Sequence, residues 1–467
     1  MIRRYYATKD NTITNAFKEN LQQRGTGSNM GASDILETFT IYGQASSASV
    51  ETTRFLIQFD TDELLADRAA EKVPTSGSVS WYLKMFNAPH SQTTPSNFDL
   101  TISAVSQSWE EGYGMDMDFY ENETRDGIGS NWINRASASA WDTQGGDYHA
   151  SPTFSQTFQT GLEDLEIDVS TLVEEWLKSE KDNDGFGVKF SDALESEARS
   201  FFRKKFFGRD SEFFFQRPVL EARWDSSRKD DRGSFYASSS LAPALDNLNS
   251  LYLYNSIRGR LRDIPTLGSN DIYVDLYDSV GGSLLTGSFT ASAEITGVYK
   301  CDVQIETTAS TVYDVWFSGS TQYHTGTISV KSFASADYNA DNDYVISMPR
   351  LKSEYRKNQT HRLSLYVRQK NWSPNIYTKA VQSGIPSLLI ESASYQIKRD
   401  VDNYIVVPYG TGSTMHTGLS YDVSGNYFNL DTTYLETGYL YEIQYSFYDE
   451  DNGWQNQESR FKFRVVD

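Results

Sequence analysis

Along most of this chain, apolar and polar side chains alternate in short runs cut by Gly, Asn, Asp and Ser, and this two-residue period constrains the fold more than any other feature. Residues 51–59, 78–86, 271–277, 361–368 and 460–466 all show it. An extended strand points successive side chains to opposite faces, so such runs suit sheets with one buried and one polar face. The fold class is therefore read as all-β. The 467 residues exceed what one core sustains, so several domains are expected. Thirty Tyr, 26 Phe and 9 Trp supply bulky side chains for the sheet faces.

One segment clearly breaks the pattern. In residues 170–179, Leu172, Val173, Trp176 and Leu177 recur at helical spacing, Thr171 with Glu174 has the form of a capping box, and Lys178 suits the C-terminal end of the dipole. Its apolar face is expected to seal one end of a sandwich. Residues 191–199 read as a short helix or an irregular excursion. The charged stretch 225–233 has nothing to bury, so 226–244 reads as a linker. Three consecutive β-sandwich domains result. Residues 1–225 form a jelly-roll-like sandwich with one helix; 245–335 and 336–467 form two immunoglobulin-like sandwiches. The last closes with a hairpin of 439–447 and 461–466, through a connection containing the turn Asp451-Asn452-Gly453. No fixed short period appears, which argues against solenoids and propellers.

Charge narrows the function classes. Against 42 Lys and Arg stand 63 Asp and Glu, a formal charge of -21, and such a surface repels nucleic acid. The run Arg203-Lys204-Lys205 with Arg209 is too short to reverse this and reads as a solvated loop or a subunit contact. The phenylalanines around it, Phe201 to Phe207 and Phe213 to Phe215, read partly as a core strand and partly as a patch covered by another subunit. No window approaches the roughly 20 apolar residues of a spanning helix, so no membrane partner is expected. The single cysteine, Cys301, reads as a buried core thiol and leaves no internal disulfide. The first ten residues lack the apolar stretch of an export signal, so assembly in the cytoplasm is expected.

Catalytic chemistry finds little support, and no catalytic residue is assigned. His90, His149, His324, His361 and His416 are scattered and read as surface or loop residues, and neither a nucleophile elbow nor a phosphate loop occurs. Glu110, Glu111, Asp116, Asp118, Glu121 and Glu123 offer carboxylate pairs of the kind a glycosidase needs, but they alternate with Gly and Tyr in an excursion that reads as a solvated or subunit-facing loop. Residues 180–191 begin like a calcium loop but carry Ser191 where a bidentate carboxylate is required. Asp337, Asp341 and Asp343 are candidate ligands for Ca2+, or else part of a solvated linker. Trp109, Tyr113, Tyr120, Trp132 and Trp141 fall in loop-like sequence, where they are either core, subunit contacts or rings that stack on a glycan.

The first 225 residues resemble the bacterial extracellular β-sandwich module called DNRLRE, which is related to carbohydrate-binding modules. The resemblance is an ordered series: residues 10–13, 29–31, 36–43, 54–60, 78–86, 100–109, Trp141, 167–170 leading into Trp176, 183–186 and 217–221. It departs from the family at the acidic, Gly-rich stretch 110–131 and at the insertion 191–212. Residues 3–6, 12–17, 29–34 and 212–218 also resemble virion structural proteins of contractile-tailed cyanobacterial and marine phages. These resemblances imply a non-catalytic structural protein of a tailed phage particle, in the neck, tail, baseplate or capsid exterior. Its partners would be other virion proteins and further copies of itself. A glycan-binding adhesin or receptor-binding protein and a polysaccharide-degrading enzyme are the alternatives.

Overall fold

The computed structural model describes every residue except 19, 20, 43–49, 76, 91–94, 116–128, 198, 269, 270, 333–342, 372–375 and 377–386. The fold is all-β, as the alternation requires, with strands from Ile2–Thr14 to Phe461–Val466. It divides into two compact units, Ile2–Trp224, and Asp225–Asp467 together with Met1. No helix among the described residues is long and apolar enough to cross a membrane.

In the first unit the Ile2–Thr14 strand belongs to both layers. Its start pairs with Val219–Arg223, which continues to Ser80–Met85 and Leu165–Asp168, while its second half pairs with Val50–Phe59 after a register shift between Ala7 and Lys9. From Val50–Phe59 the layer runs to Phe186–Phe190, Phe98–Val105 and Tyr148–Phe158, and on the other side to Ile35–Tyr42 and Phe201–Phe207. Every second residue points inward, so Phe55, Phe59, Phe98, Phe158, Phe186, Phe190 and Phe206 fill the space between the layers.

The expected helix forms at Ser170–Leu177 and buries Leu172, Val173, Trp176 and Leu177, but the capping box does not. Val169 is the N-cap, and the Glu174 side chain is taken by Arg68 and by the Trp81 ring nitrogen. A second helix, Thr61–Ala69, capped by Asp60, escaped the sequence reading because its apolar residues are few. Residues 191–199 contain one short helix, Asp192–Glu195.

In the second unit, one set of strands packs Trp316, Cys301, Leu251, Val274 and Ile328 into a core, and burial pushes the Cys301 thiol up to about 12. Another set centres on Leu440–Asp449, flanked by Ala393–Arg399 and Phe461–Val466, with Tyr395 stacked on Phe428 at 4.1 Å. The turn at Asp451-Asn452-Gly453 leads into an extra strand, Gly453–Asn456, before Phe461–Val466. The reading of 226–244 as a linker is overturned. Lys229 bridges to Tyr421, Tyr421 Oη donates to Asp231 Oδ1 at 2.7 Å, and Phe235 is fully buried beside Thr321–Lys331. Charged residues looked solvated because a sequence does not display their partners: Arg232 reaches Asp314 and Arg228 reaches Glu294.

Candidate functional site

The strand register of the first unit places Arg54, Leu56, Gly187, Lys189, Thr101, Ser103 and Thr153 on the face turned away from the main core. Gly187 lies opposite both Leu56 and Ser103, Lys189 opposite Thr101, and Ser103 opposite Thr153. Described residues from the stretch between the Phe98–Val105 and Tyr148–Phe158 strands cover part of this face. There Trp109, Trp132 and Trp141 pack with Ile13, Leu56 and Val105 into a second, smaller core.

The tryptophans therefore act as core and not as exposed platforms. The Trp109 ring nitrogen donates to the Asp184 carbonyl at 2.8 Å, and that of Trp141 to the Asn131 carbonyl at 2.9 Å. Their loop-like sequence concealed this, since an excursion that folds onto a sheet has no strand period of its own. Tyr113 is exposed, at 60 %. Tyr120 lies outside the described residues.

Beside this cap the face is open, as a depression of about 690 Å³. Arg54 forms its inner wall. Its guanidinium lies 5.2 Å from the Trp132 ring centroid, makes two hydrogen bonds of 3.1 and 2.6 Å to Glu195, and donates to the Gly145 carbonyl at 2.9 Å. The Cε1 edge of the Tyr148 ring abuts Gly187, where an added Cβ would stand 2.0 Å from the ring. Burial pushes the Tyr148 phenol up to about 12, and its Oη donates to Gly145 O at 2.8 Å. Lys189 is paired with Asp192, and the Asp147 carboxylate takes the backbone N–H groups of Asp142 and Thr143. Arg54 and Lys189 are thus paired locally, and the hydroxyls of Thr101, Ser103 and Thr153 line the depression, Thr153 donating to the Ala150 carbonyl at 3.2 Å. Sequence reasoning missed Arg54 and Lys189, although the alternation already placed Arg54 opposite the phenylalanines of its own strand.

The acidic candidates divide. Glu110 Oε2 accepts from the backbone of Ser137 at 3.0 Å. Glu111 is gripped by Arg209 at 2.9 and 3.1 Å and accepts the Asp10 N–H at 2.8 Å. Buried Asp10 is itself pushed up to about 7 by loss of solvation. Asp116, Asp118, Glu121 and Glu123 lie outside the described residues, as do Asp337 and Asp341. Asp343, exposed, sits 3.6 Å from Lys370 Nζ. Among the described residues, no group of three or more acidic, His or Cys side chains is placed to hold a metal ion. His416 lies in a loop, where it is 5 % exposed and meets Thr414 Oγ1 at 3.0 Å.

No protein-family model matches the chain. No curated protein matches it. Among solved structures it is similar to the adhesin InvE of Yersinia pseudotuberculosis, at 12% identity over 49% of this chain and 56% of the adhesin, with a TM-score of 0.16. It is also similar to DIP-gamma IG1+IG2, at 11% identity over 50% of this chain and 92% of that one, with a TM-score of 0.13. A third similarity, to the alpha-2-macroglobulin of E. coli, has 9% identity over 88% of this chain and 21% of that one, with a TM-score of 0.16. The chain thus spans little more than half of the adhesin. The all-β assignment rests on the strand pairing described above.

Proposed function

We propose that this chain is a non-catalytic structural component of a tailed phage particle, in the neck, tail, baseplate or capsid exterior, and that it acts through protein–protein assembly. The observation that carries the assembly reading is the strand Leu284–Ile295. Its first half pairs with Ile272–Tyr277 and its last residues, from Ser292 to Ile295, pair with Val298–Val303; among the described residues no strand pairs with the other edge of residues 284–291. Val280, Leu284 and Leu285 are exposed there, and residues 279–293 contain no charge in a chain whose net charge is -21. Proteins that stay apart protect such an edge with charge or proline, because its unpaired backbone groups template another strand. An uncharged edge on an acidic protein is where a neighbouring subunit can approach without repulsion. The phage setting is supported by the sequence resemblances of the first unit. Cross-linking and mass spectrometry of purified particles test it: peptides of this chain joined to other virion proteins are expected, and absence of the chain from particles would sink the reading.

The open depression favours a second reading, a glycan-binding adhesin or receptor-binding protein. Its locally paired Arg54 and Lys189 and its hydroxyls suit a neutral polyhydroxyl ligand. A glycan array probed with the whole chain and with Ser103→Trp, which fills the depression, tests this: binding lost in the variant supports it, and no binding by the parent chain removes it.

A further inference from the structure

Strand period puts Phe202, Lys204 and Phe206 on the inward face of Phe201–Phe207, so a lysine points into the main core of the first unit and is fully buried. This corrects the solvated-loop reading of the basic run. Lys204 Nζ lies over the rings of Phe158 and Phe206, 4.9 and 5.0 Å from their centroids. It stands 2.7 Å from Asn87 Oδ1, 2.9 Å from Gly161 O and 2.7 Å from Glu163 O.

Asn87 is held against this amine from several sides. Its backbone bridges to Phe206, its N–H donates to Asp164 Oδ1 at 2.7 Å, and its neighbours Phe86 and Ala88 exchange backbone bonds with Phe207 and Lys205 at 3.0 and 3.1 Å. Two carboxylates stand by, Glu163 and Asp164, and both act electrostatically on the lysine. Glu163 Oε2 is shielded from solvent and meets no hydrogen-bond partner. Burial lowers the lysine to about 8 despite those carboxylates, so a sizeable fraction of the amine is neutral and nucleophilic near neutral pH.

We propose that Lys204 and Asn87 are the two halves of an intramolecular isopeptide bond. The neutral Nζ attacks Cγ of Asn87, and the tetrahedral adduct collapses with cleavage of the Cγ–Nδ2 bond. Nζ gives up one proton, Nδ2 takes up one and leaves as ammonia, and Glu163 or Asp164 relays the proton between them. No oxidant or cofactor enters the balance. The apolar rings exclude water that would compete for the adduct. The bond joins the strand Phe201–Phe207 to the chain that follows Ser80–Met85, across a separation of 117 residues, in a protein with a single cysteine.

The test is mass spectrometry of the purified full chain. The intact chain is expected to be lighter than its sequence by one ammonia, roughly 17 Da, as condensation of an amine with a carboxamide requires. A chymotryptic digest is expected to yield a branched peptide that joins residues 203–206 to 87–98. Lys204→Met and Asn87→Ala should restore the full sequence mass. Should those variants fail to fold, Glu163→Gln and Asp164→Asn keep both partners in place, and the one that relays the proton should accumulate the unlinked chain. Full sequence mass in the parent chain, with linear peptides at both positions, overturns the proposal and leaves Lys204 as a permanent ammonium held by its three acceptors.

Discussion

Arg232 Nη1 stands 2.8 Å from both carboxylate oxygens of Asp314, a fully buried residue that also accepts the Trp316 ring nitrogen at 2.7 Å. The pair fastens the segment once read as a linker onto the core beneath it. Removing one partner of a buried pair leaves an uncompensated charge, at a cost of about 3–5 kcal/mol. Arg232→Met is therefore expected to lower the stability of the second unit by that order, read from the denaturant midpoint of the whole chain. An unchanged midpoint would show that the carboxylate finds other partners.

Asp10 supplies a pH dependence of unusual sign. It faces Glu111, Arg209 and Asp210, and its folded-state value of about 7 lies above the ordinary 3.8. A carboxyl raised on folding favours the protonated form, so its contribution is intact below the ordinary value and is lost as pH rises towards the folded one. Stability of the first unit should fall between about pH 4 and 7, by at most about 1.4 kcal/mol per pH unit, and level off above. Asp10→Asn should remove that component of the slope in a series of urea melts; a slope that survives the substitution assigns it elsewhere.

Glu221 acts in the opposite direction. It is fully buried between Arg4, Arg223 and Lys84, whose charges hold its carboxylate well below the usual range against the pull of desolvation. Its contribution is present above the unfolded value and is lost as pH falls through the folded one. Glu221→Gln should take the carboxylate from Arg4, Arg223 and Lys84, of which the last two keep Glu166, and cost about 3–5 kcal/mol at neutral pH, with a smaller penalty in acid. Equal penalties at pH 7 and pH 3 would contradict this.

Gly187→Ala should disturb the depression without touching the main core. The new methyl meets the Tyr148 ring, and overpacking of this kind costs about 1–3 kcal/mol. Because Arg54 lies between Tyr148 and Trp132, tryptophan fluorescence should shift as well as the melting temperature. A shift in neither would mean that the ring swings away freely.

Leu285→Lys places a charge in the first half of Leu284–Ile295, where one edge is unpaired among the described residues. The side chain is 41 % exposed, so folding stability should change by no more than about 0.5 kcal/mol, as for surface substitutions generally. Incorporation into particles should drop. Unaltered incorporation would locate the assembly contact elsewhere.

What a sequence displays and what it hides can be seen at single residues. Alternation alone identified the strands around Phe55 and Tyr273 and the burial of Cys301, because each needs only its own neighbours along the chain. Helical spacing found Leu172 and Trp176, but the role of Glu174 depended on Arg68, 106 residues away. Trp109 and Trp141 looked available because the face they cover is made by other strands. Lys204 was legible in principle: in Phe202-x-Lys204-x-Phe206 the charge falls on the apolar side of the period. A row of basic residues drew attention to charge and away from phase.

The strand Ile2–Thr14 begins by pairing with the last strand of its unit, Ile2 opposite Arg223. During synthesis its first half has no partner until nearly the entire unit has been made and released from the ribosome. Pairing across such a separation must first overcome the entropy of closing the intervening chain, which slows folding. The unit is therefore expected to complete itself only once its last strand has emerged, and as a whole, with its earliest residues among the last to find their place.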